Sequence, residues 1–523
     1  MPGLFALTAL SVLAISVCVQ NLSAPPWIRQ GSVVNAASHL PSSVPGGALA
    51  PDALVALDGL RFDPSAVAVE IESGDKIYPA TIVTATAEHI VTRMPDHTRS
   101  GRGSLFVVSH GKRSVGYEIA LAPAAFGIFT ANDQGWGEAK ALAGIARPGG
   151  RVTLSGTGLG HARTDTIQVL VGGRRASHLD HSTQNGIDRL SFTLASETPA
   201  GCAVPVSVTV GSVTGNSATI PVGSGGTCGP ARNWFGQMRA PGERSGNVVL
   251  LHSDAILEIT PGQPVHFMVD NLLAGFAHHL TGKAGGPLDL MPPEDSCMNW
   301  AGPLDSNQME LSSIMGIVQD SSGANLDAGP SVSVSGPDGV RRAMSSEKTS
   351  SEKKPQIYSA ILGGDPPMSR IPPTPLFLTP GQYHVEIPGG ADVGAAKAVV
   401  DVPRPIVWRN RDGVTVLDRR VGTELTWTLP NGYTAVVFAW NINRRSGSAG
   451  FAVCLPPLRA EVFRIPPTAV ANLPVSGVSG SDLSLGFVGV GAVPVEPPSF
   501  SATGLDQARI VSASLSGRSV VVR

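Results

Sequence analysis

The sequence has little charge. Asp, Glu, Lys and Arg make up 15% of its 523 residues, and the formal net charge is −2, whereas soluble domains are usually about 25% charged. A chain without a strong positive balance has no global electrostatic attraction for nucleic acid or for an anionic membrane surface. The basic clusters are small pairs such as Arg174-Arg175 and Arg444-Arg445. We therefore expect neither nucleic acid nor a membrane surface as a partner.

Sequence motifs that carry chemistry are also missing. The chain contains no Gly-x-Ser-x-Gly nucleophile elbow, no Cys-x-x-Cys pair and no Asp-x-Asp-x-Asp calcium loop. The glycine-rich segment 156–160 leads into another strand pattern and not into the helix that a dinucleotide site needs. His278 and His279, with His266 upstream, form the densest histidine group, but adjacent residues on a strand point to opposite faces. We predict no catalytic, cofactor-binding or metal-binding residues and no cofactor.

Residues 1–24 read as an export signal. An apolar run from Leu4 to Val19 is followed by small and polar residues, and it is short for a membrane span of about 20 residues. Basic residues are absent before this run, and Cys18 lacks the small preceding residue of a lipoprotein signal. We expect a secreted or cell-surface protein, without lipidation and without a membrane span in its mature part.

Four cysteines follow the expected signal: Cys202, Cys228, Cys297 and Cys454. An even number of cysteines in an oxidising compartment favours disulfides. We predict a bond between Cys202 and Cys228, because both flank the last strands of one unit. The remaining pair, Cys297 and Cys454, then forms a bond partly by elimination. That bond would close a loop of about 150 residues and stabilise the fold by about 5 kcal/mol, which makes the C-terminal half one cooperative region.

Turn residues and alternating apolar residues are abundant. The chain contains 61 Gly and 43 Pro, and apolar residues recur with a period of two in stretches such as 204–210, 383–387 and 425–429. This alternation marks strands with one buried face, and turn residues about every ten positions are typical of β-sandwiches. The sequence predicts an all-β protein of tandem immunoglobulin-like β-sandwich domains, with helix confined to the signal and to short turns.

Several short motifs occur in the order found in known extracellular domains. They are Gly-Thr-Gly-Leu-Gly at 156–160, Val-Gly-Gly at 171–173, Val-Pro-Val-Ser-Val-Thr-Val at 204–210, and Asn216-Ser217. Together they resemble an IPT/TIG domain, which has an immunoglobulin-like fold. Residues 33–38 and 125–130 are similar to the uncharacterised Solibacter-type C-terminal domain family of secreted bacterial proteins. These resemblances cover residues 31–228 and imply two sandwiches but no established activity.

The patterns divide the chain into five parts. They are a signal peptide at 1–24, a first sandwich at 31–126, an IPT/TIG-like sandwich at 127–228, a β-rich domain at 229–402 and a C-terminal β-rich domain at 403–523.

Tryptophan is the residue type that bears most directly on ligand binding. Tryptophans in strand patterns such as 425–429 commonly pack in a core. Trp136 and Trp234 lie among Gly and Asn residues, so we expect them to be exposed and able to stack on sugar rings.

The sequence is compatible with three classes of function. The leading hypothesis is a non-catalytic secreted or cell-surface protein for interaction or adhesion, whose partner is an extracellular protein or glycan. The alternative is a carbohydrate-binding protein that acts on extracellular polysaccharide. A secreted hydrolase is the third, and it would need a cleft with convergent carboxylates or a metal.

Overall fold

The structure is a computed structural model. It describes residues 24–228, 240–260, 262–280, 290–304, 323–347, 357–366, 372–476 and 484–523. Trp234 and the predicted signal, apart from Ala24, lie outside these ranges.

Strands dominate the described residues, which confirms the predicted fold class. In those ranges the α-helical residues form a single turn, α1 (Pro467–Val470), and 3₁₀ turns of three residues occur at Pro45–Gly47, Thr164–Thr166 and Arg411–Gly413. The chain is built from two N-terminal sandwiches and a larger C-terminal half.

The first sandwich contains nine strands. They are β1 (Trp27–Ile28), β2 (Val34–Asn35), β3 (Leu54–Leu60), β4 (Val67–Ser73), β5 (Lys76–Ala85), β6 (His89–Arg93), β7 (Gly101–Ser109), β8 (Lys112–Arg113) and β9 (Tyr117–Leu121). Strand β5 pairs with β4 through its first half and with β6 through its second half, where a register shift lies between Ile82 and Thr84. The sheet thereby folds over a core that includes the fully buried Leu57, Ile71 and Leu105.

The second sandwich also contains nine strands. They are β10 (Gly127–Ile128), β11 (Arg151–Thr157), β12 (Ile167–Val171), β13 (Arg174–Arg175), β14 (Ser177–Gln184), β15 (Ile187–Thr193), β16 (Gly201–Val210), β17 (Val213–Thr214) and β18 (Ala218–Val222). Strands β10, β11, β15 and β14 form one sheet, and β13, β12, β16, β17 and β18 form the other. Alternate residues Val204, Val206 and Val208 of β16 are buried between the sheets, as their period of two predicts.

The C-terminal half contains seventeen described strands. They are β19 (Arg244–Thr260), β20 (Gln263–His279), β21 (Ser296–Pro303), β22 (Gly323–Asn325), β23 (Ser331–Ser335), β24 (Arg341–Glu347), β25 (Ile357–Gly364), β26 (Gly381–Ile387), β27 (Ala396–Val402), β28 (Val407–Trp408), β29 (Val416–Leu417), β30 (Thr423–Thr428), β31 (Tyr433–Asn443), β32 (Ser448–Leu455), β33 (Val462–Ile465), β34 (Ser484–Pro494) and β35 (Gln507–Val522).

Most of these strands belong to one large sheet. Its order is β21-β32-β31-β34-β35-β19-β20-β25-β24-β23-β26-β27. The last strand, β35, runs parallel to β19 through an unbroken register from Ser245↔Gln507 to Ile256↔Arg518. This pairing joins residues on both sides of the boundary predicted at residue 402 into a single sheet.

Two lobes cover the same face of the large sheet. Its three longest strands, β19, β20 and β35, are called the long strands. The first is formed by β23, β24, β26 and β27, whose Val334, Tyr383 and Val400 pack against Leu250 and Leu272 of β19 and β20. The second is the three-stranded sheet β28-β30-β33, whose Trp408, Leu425 and Trp427 pack with residues of β31, β34 and β35.

The opposite face of the large sheet carries aromatic side chains in register. Trp300 pairs with Phe451, Phe451 with Trp440, and Trp440 with Phe487, on four neighbouring strands. The rings of Trp440 and Phe487 stack with centroids 5.5 Å apart. Gly517 leaves room for Phe487, because a Cβ at that glycine would lie 2.2 Å from the ring.

Both predicted disulfides are present. Cys202, on β16, bonds to Cys228, which follows β18, with Cα atoms 4.9 Å apart. Cys297 and Cys454 are register partners on β21 and β32, with Cα atoms 4.0 Å apart. The second bond therefore crosses two adjacent strands of the large sheet and connects the two stretches on either side of residue 402.

Side-chain contacts dock the sandwiches onto each other and onto the C-terminal half. Asn35 of the first sandwich is fully buried, and its Nδ2 donates to the backbone oxygens of Ala125 and Thr157 at 3.1 and 3.2 Å. The Oγ1 of Thr157 accepts a hydrogen bond from the backbone N–H of Leu54 at 2.8 Å. Arg174 of the second sandwich forms an ion pair with Asp295 at 2.8 Å.

Asn472 joins all three parts at one point. It follows α1 in the C-terminal half and is 1% exposed. Its Nδ2 donates to the oxygens of Thr214 and Gly215 in the second sandwich at 3.0 and 2.9 Å. Its Oδ1 accepts from the N–H of Gly46 in the first sandwich at 2.9 Å. Directional hydrogen bonds of one buried side chain therefore hold the three parts together at this point.

Candidate binding surface

Between the two lobes, the long strands carry polar side chains that we call the polar row: Asp270, His252, Ser514, Asp254 and Ser516. His252 on β19 faces Asp270 on β20 and Ser514 on β35 in the strand register. Its Nδ1 lies 2.7 Å from Asp270 Oδ1, and Asp270 is fully buried. An Asp, a His and a Ser thus lie side by side across three neighbouring strands.

The hydrogen bonds of this row are structural. Asp270 Oδ2 accepts from the backbone N–H groups of Phe377 and Leu378, both at 2.7 Å, so the carboxylate ties the first lobe to the long strands. Ser514 Oγ accepts from the N–H of Ile406 at 2.9 Å, where the chain enters the second lobe. Asp, His and Ser are also the residue types of a nucleophile triad, and in this row Asp270 and Ser514 each accept backbone N–H groups of loops that enter the two lobes.

Asp254 forms the polar end of the row. Its Oδ1 lies 2.6 Å from His266 Nε2 and 2.8 Å from Arg411 Nη1. Burial raises the pKa of this carboxyl, but the hydrogen bonds from His266 and Arg411 outweigh burial and hold the pKa below its usual value. Arg411 lies in the 3₁₀ turn before β29, so this cluster fastens the second lobe to β19.

The histidines singled out from the sequence do not form one site. His266 contacts Asp254, whereas His278 and His279 lie twelve or more residues further along β20, at its other end. His279 is 1% exposed, and its Nε2 lies 2.7 Å from Ser245 Oγ. Among the residues that the structure describes, no group of three or more possible metal ligands comes together.

The expectation that Trp136 is exposed is wrong. Trp136 is 5% exposed and belongs to the aromatic cluster on the large sheet, together with Leu290, Met298 and Trp300. Its Nε1 donates to Gln134 Oε1 at 3.1 Å. The local Gly- and Asn-rich context suggested a surface loop, but docking of the second sandwich against the C-terminal half buries the ring. Trp234, the other predicted stacking residue, lies outside the described ranges.

One described tryptophan is exposed instead. Trp27 on β1 is 45% exposed, whereas the other described tryptophans are between 0 and 8% exposed. Its register partner on β3 is Leu60, which is 40% exposed. The sequence around Trp27 gives only a weak indication of its exposure: the residue follows Pro25-Pro26 and lies in no alternating strand pattern.

The described residues contain no helix whose length and hydropathy would let it span a bilayer.

Comparisons with known proteins define no family. No protein-family model matches the chain, and no curated protein matches it in sequence.

Among solved structures, the chain is similar to the extracellular region of plexin A4, with 16% identity over 36% of this chain and 17% of that one and a TM-score of 0.17. It is also similar to domains 5-6 of the S-layer protein SbsC, with 15% identity over 38% of this chain and 98% of that one and a TM-score of 0.19. The third is SGBP-B of the Bacteroides ovatus mixed-linkage glucan utilization locus, in complex with a heptasaccharide. It shows 15% identity over 34% of this chain and 45% of that one and a TM-score of 0.20. Scores this low define neither a family nor a function.

Proposed function

We propose that this chain is a non-catalytic extracytoplasmic protein that acts as a rigid interaction or adhesion platform for an extracellular protein or glycan. The observation that carries the proposal is the junction at Asn472. A string of sandwiches joined by free linkers changes shape, whereas parts held by buried hydrogen bonds keep one geometry. A surface with fixed geometry loses less conformational entropy when a partner binds it.

The junction has the chemistry that a permanent contact needs. Both polar atoms of the Asn472 amide are satisfied by backbone groups of other parts. Leaving such groups buried without a partner costs about 1–3 kcal/mol each. Opening the junction without admitting water is therefore unfavourable, and Asn35 and the Arg174–Asp295 pair add independent contacts between the parts.

The extracytoplasmic location is supported by the disulfides and by the expected signal. Disulfides persist in oxidising compartments and are uncommon in the cytosol. The four cysteines after residue 24 are used completely in two bonds, each within or beside a strand pair. The resemblance of residues 31–228 to IPT/TIG and Solibacter-type domains of secreted bacterial proteins points to the same location.

Cell fractionation with thiol counting tests this proposal. The chain is produced in a bacterial host with residues 1–24 intact, and a second version lacks them. We expect the first version outside the cytoplasm with no thiol accessible to an alkylating reagent after denaturation, and the second in the cytoplasm with reduced cysteines. Retention of the first version in the cytoplasm with five free thiols, Cys18 included, would contradict the proposal.

A further inference from the structure

The exposed Trp27 belongs to a mixed apolar and polar patch at the edge of the first sandwich. We call Trp27, Asp58, Leu60 and His89 the Trp27 patch. Trp27 pairs with Leu60 across β1 and β3, and Asp58 pairs with His89 across β3 and β6. Because side chains two residues apart on a strand share a face, Asp58 and Leu60 point the same way. The four side chains therefore lie on one face of three adjacent strands.

The polar half of the patch keeps hydrogen-bonding capacity for a ligand. Asp58 Oδ1 lies 2.7 Å from His89 Nδ1, and the two side chains are 44% and 47% exposed. Among the described contacts, Asp58 Oδ2 and His89 Nε2 have no protein partner. The patch thus offers a carboxylate acceptor and an imidazole nitrogen beside an aromatic ring and an aliphatic side chain.

The backbone that presents Trp27 is held firmly although β1 has only two residues. The backbone N–H of Arg29 donates to the backbone oxygen of Asp58 at 2.9 Å, and Arg61 Nε donates to the backbone oxygen of Pro25 at 2.8 Å. Gly59 permits the close approach of β1, because a Cβ there would lie 2.1 Å from the oxygen of Trp27. The ring is therefore displayed from a fixed edge strand and not from a loop.

Burial of Ile28 explains why β1 exists but not why its outward residue is tryptophan. Ile28, the neighbour of Trp27, contributes to the core of the first sandwich and is 8% exposed. Trp27 points the other way, where a polar residue would keep the strand in place without exposing an indole. An exposed aromatic ring beside a rim of polar groups is a feature of binding sites.

We propose that the Trp27 patch binds a pyranose ring of an extracellular glycan. The apolar face of the sugar stacks on the indole of Trp27 and contacts Leu60, and hydroxyl groups of the same ring hydrogen-bond to Asp58 and His89. A glycan fits better than a protein partner, because stable protein interfaces bury more than about 1,000 Å² and this patch presents four side chains. The assignment rests on the proposed extracytoplasmic function and names a ligand class for it.

The test compares four forms of the disulfide-bonded chain from residue 24 to 523. The wild type is screened on an array of bacterial, plant and animal glycans, and each hit is titrated by calorimetry. The wild type is then compared with Trp27→Ala, Trp27→Phe and Val407→Ala. Val407 is a matched control, because it is a 59% exposed apolar residue on β28, outside the patch. Circular dichroism and thermal melts check that each variant folds.

We expect Trp27→Ala to weaken glycan binding at least about tenfold, a loss of about 1.4 kcal/mol. Trp27→Phe should retain part of the affinity through its smaller ring, and Val407→Ala should bind like the wild type. An array without hits, or equal affinity of the wild type and a folded Trp27→Ala variant, would overturn the proposal. Loss of binding to a protein partner in Trp27→Ala, without glycan binding, would overturn it as well. A chain that is exported and oxidised but binds no glycan would leave the proposed platform function standing.

Discussion

The N-terminal sandwiches and the C-terminal half are built from the same kind of strand in different ways. In the sandwiches, strands of 2 to 10 residues pair with strands of the same unit and close over one core each. In the C-terminal half, β19, β20 and β35 have 17, 17 and 16 residues, and β35 pairs with a strand that begins 263 positions earlier in the chain. Local pairing gives small closed units, whereas distant pairing gives one large sheet that carries two lobes on one face.

This difference implies that the C-terminal half depends more on contacts between distant residues. The Cys297–Cys454 bond, the polar row and the Asn472 junction all join residues far apart in sequence. Loss of such a contact releases a long stretch of chain, and the entropy of loop closure grows with the length of the loop.

Removing a disulfide should cause the largest loss of folding stability, and the loss should differ between the two bonds. In the chain-entropy model, removal of the Cys297–Cys454 bond costs about 5 kcal/mol, and removal of Cys202–Cys228 costs about 3.5 kcal/mol, since their sequence separations are 157 and 26. The paired variants Cys297→Ala/Cys454→Ala and Cys202→Ala/Cys228→Ala should therefore differ in urea unfolding followed by tryptophan fluorescence. If both variants lose the same stability, or if the variant without Cys202–Cys228 loses more, the bond that closes the longer loop is not the stronger constraint.

The polar row gives the next largest effect. Asp270→Ala leaves His252 and the N–H groups of Phe377 and Leu378 without their acceptor, and loss of one partner of a buried pair costs about 3–5 kcal/mol. We expect the unfolding transition of the C-terminal half to shift by that amount, while the sandwiches keep their stability. Hydrogen exchange resolved by mass spectrometry measures the two regions separately. If hydrogen exchange shows an equal loss of protection in all three parts, the stabilising effect of Asp270 is not confined to the C-terminal half.

Asn472→Ala tests the junction between the two regions. It removes three hydrogen bonds, and each unsatisfied buried group costs about 1–3 kcal/mol. We expect faster proteolysis between the second sandwich and the C-terminal half, with little change inside either. Asn410→Ala is the matched control, because Asn410 also makes three hydrogen bonds, all within the second lobe, to Trp408, Glu424 and Thr426. If both variants open the junction equally, Asn472 has no special role in docking.

The smallest effect is a change with pH. The pKa of Asp254 is lowered in the folded chain, because hydrogen bonds from His266 and Arg411 outweigh burial. Its contribution to stability is present above the ordinary value of 3.8 and is lost as the pH falls through the lower folded value.

Asp254→Asn should therefore lose stability at neutral pH, and the gap to the wild type should narrow below about pH 4. Asp75→Asn, in the exposed turn between β4 and β5, should leave the profile unchanged. Thermal melts from pH 2 to 7 measure both variants. A gap that widens toward acid pH would contradict the sign of this effect.

Local patterns in the sequence predict much of the N-terminal fold. The period of two at 204–210 identifies β16, and Cys202 and Cys228 are close enough in sequence for their bond to be inferred from the turn between them. The Cys297–Cys454 bond follows partly by elimination, because only these two of the four cysteines after the expected signal remain once Cys202 and Cys228 are paired.

The remaining features depend on tertiary contacts that no local pattern contains. His252 meets Asp270 within the hairpin of β19 and β20, but Ser514 joins them only because β35 returns beside β19. Neither β19 nor β35 carries a motif that predicts their pairing. Trp136 looks like a surface residue until the second sandwich docks on the large sheet. Trp27 lies in no alternating pattern of the sequence, and its exposure follows from the pairing of β1 with β3.

Small-angle X-ray scattering of the oxidised chain from residue 24 to 523 reports whether the three parts hold one geometry. We expect a single docked arrangement to fit the scattering curve and the maximum dimension to stay constant across salt concentrations. Asn410→Ala should give the same curve, and Asn472→Ala should give a larger radius of gyration. A wild-type curve that only an ensemble of extended, independently moving units can fit would contradict the rigid platform.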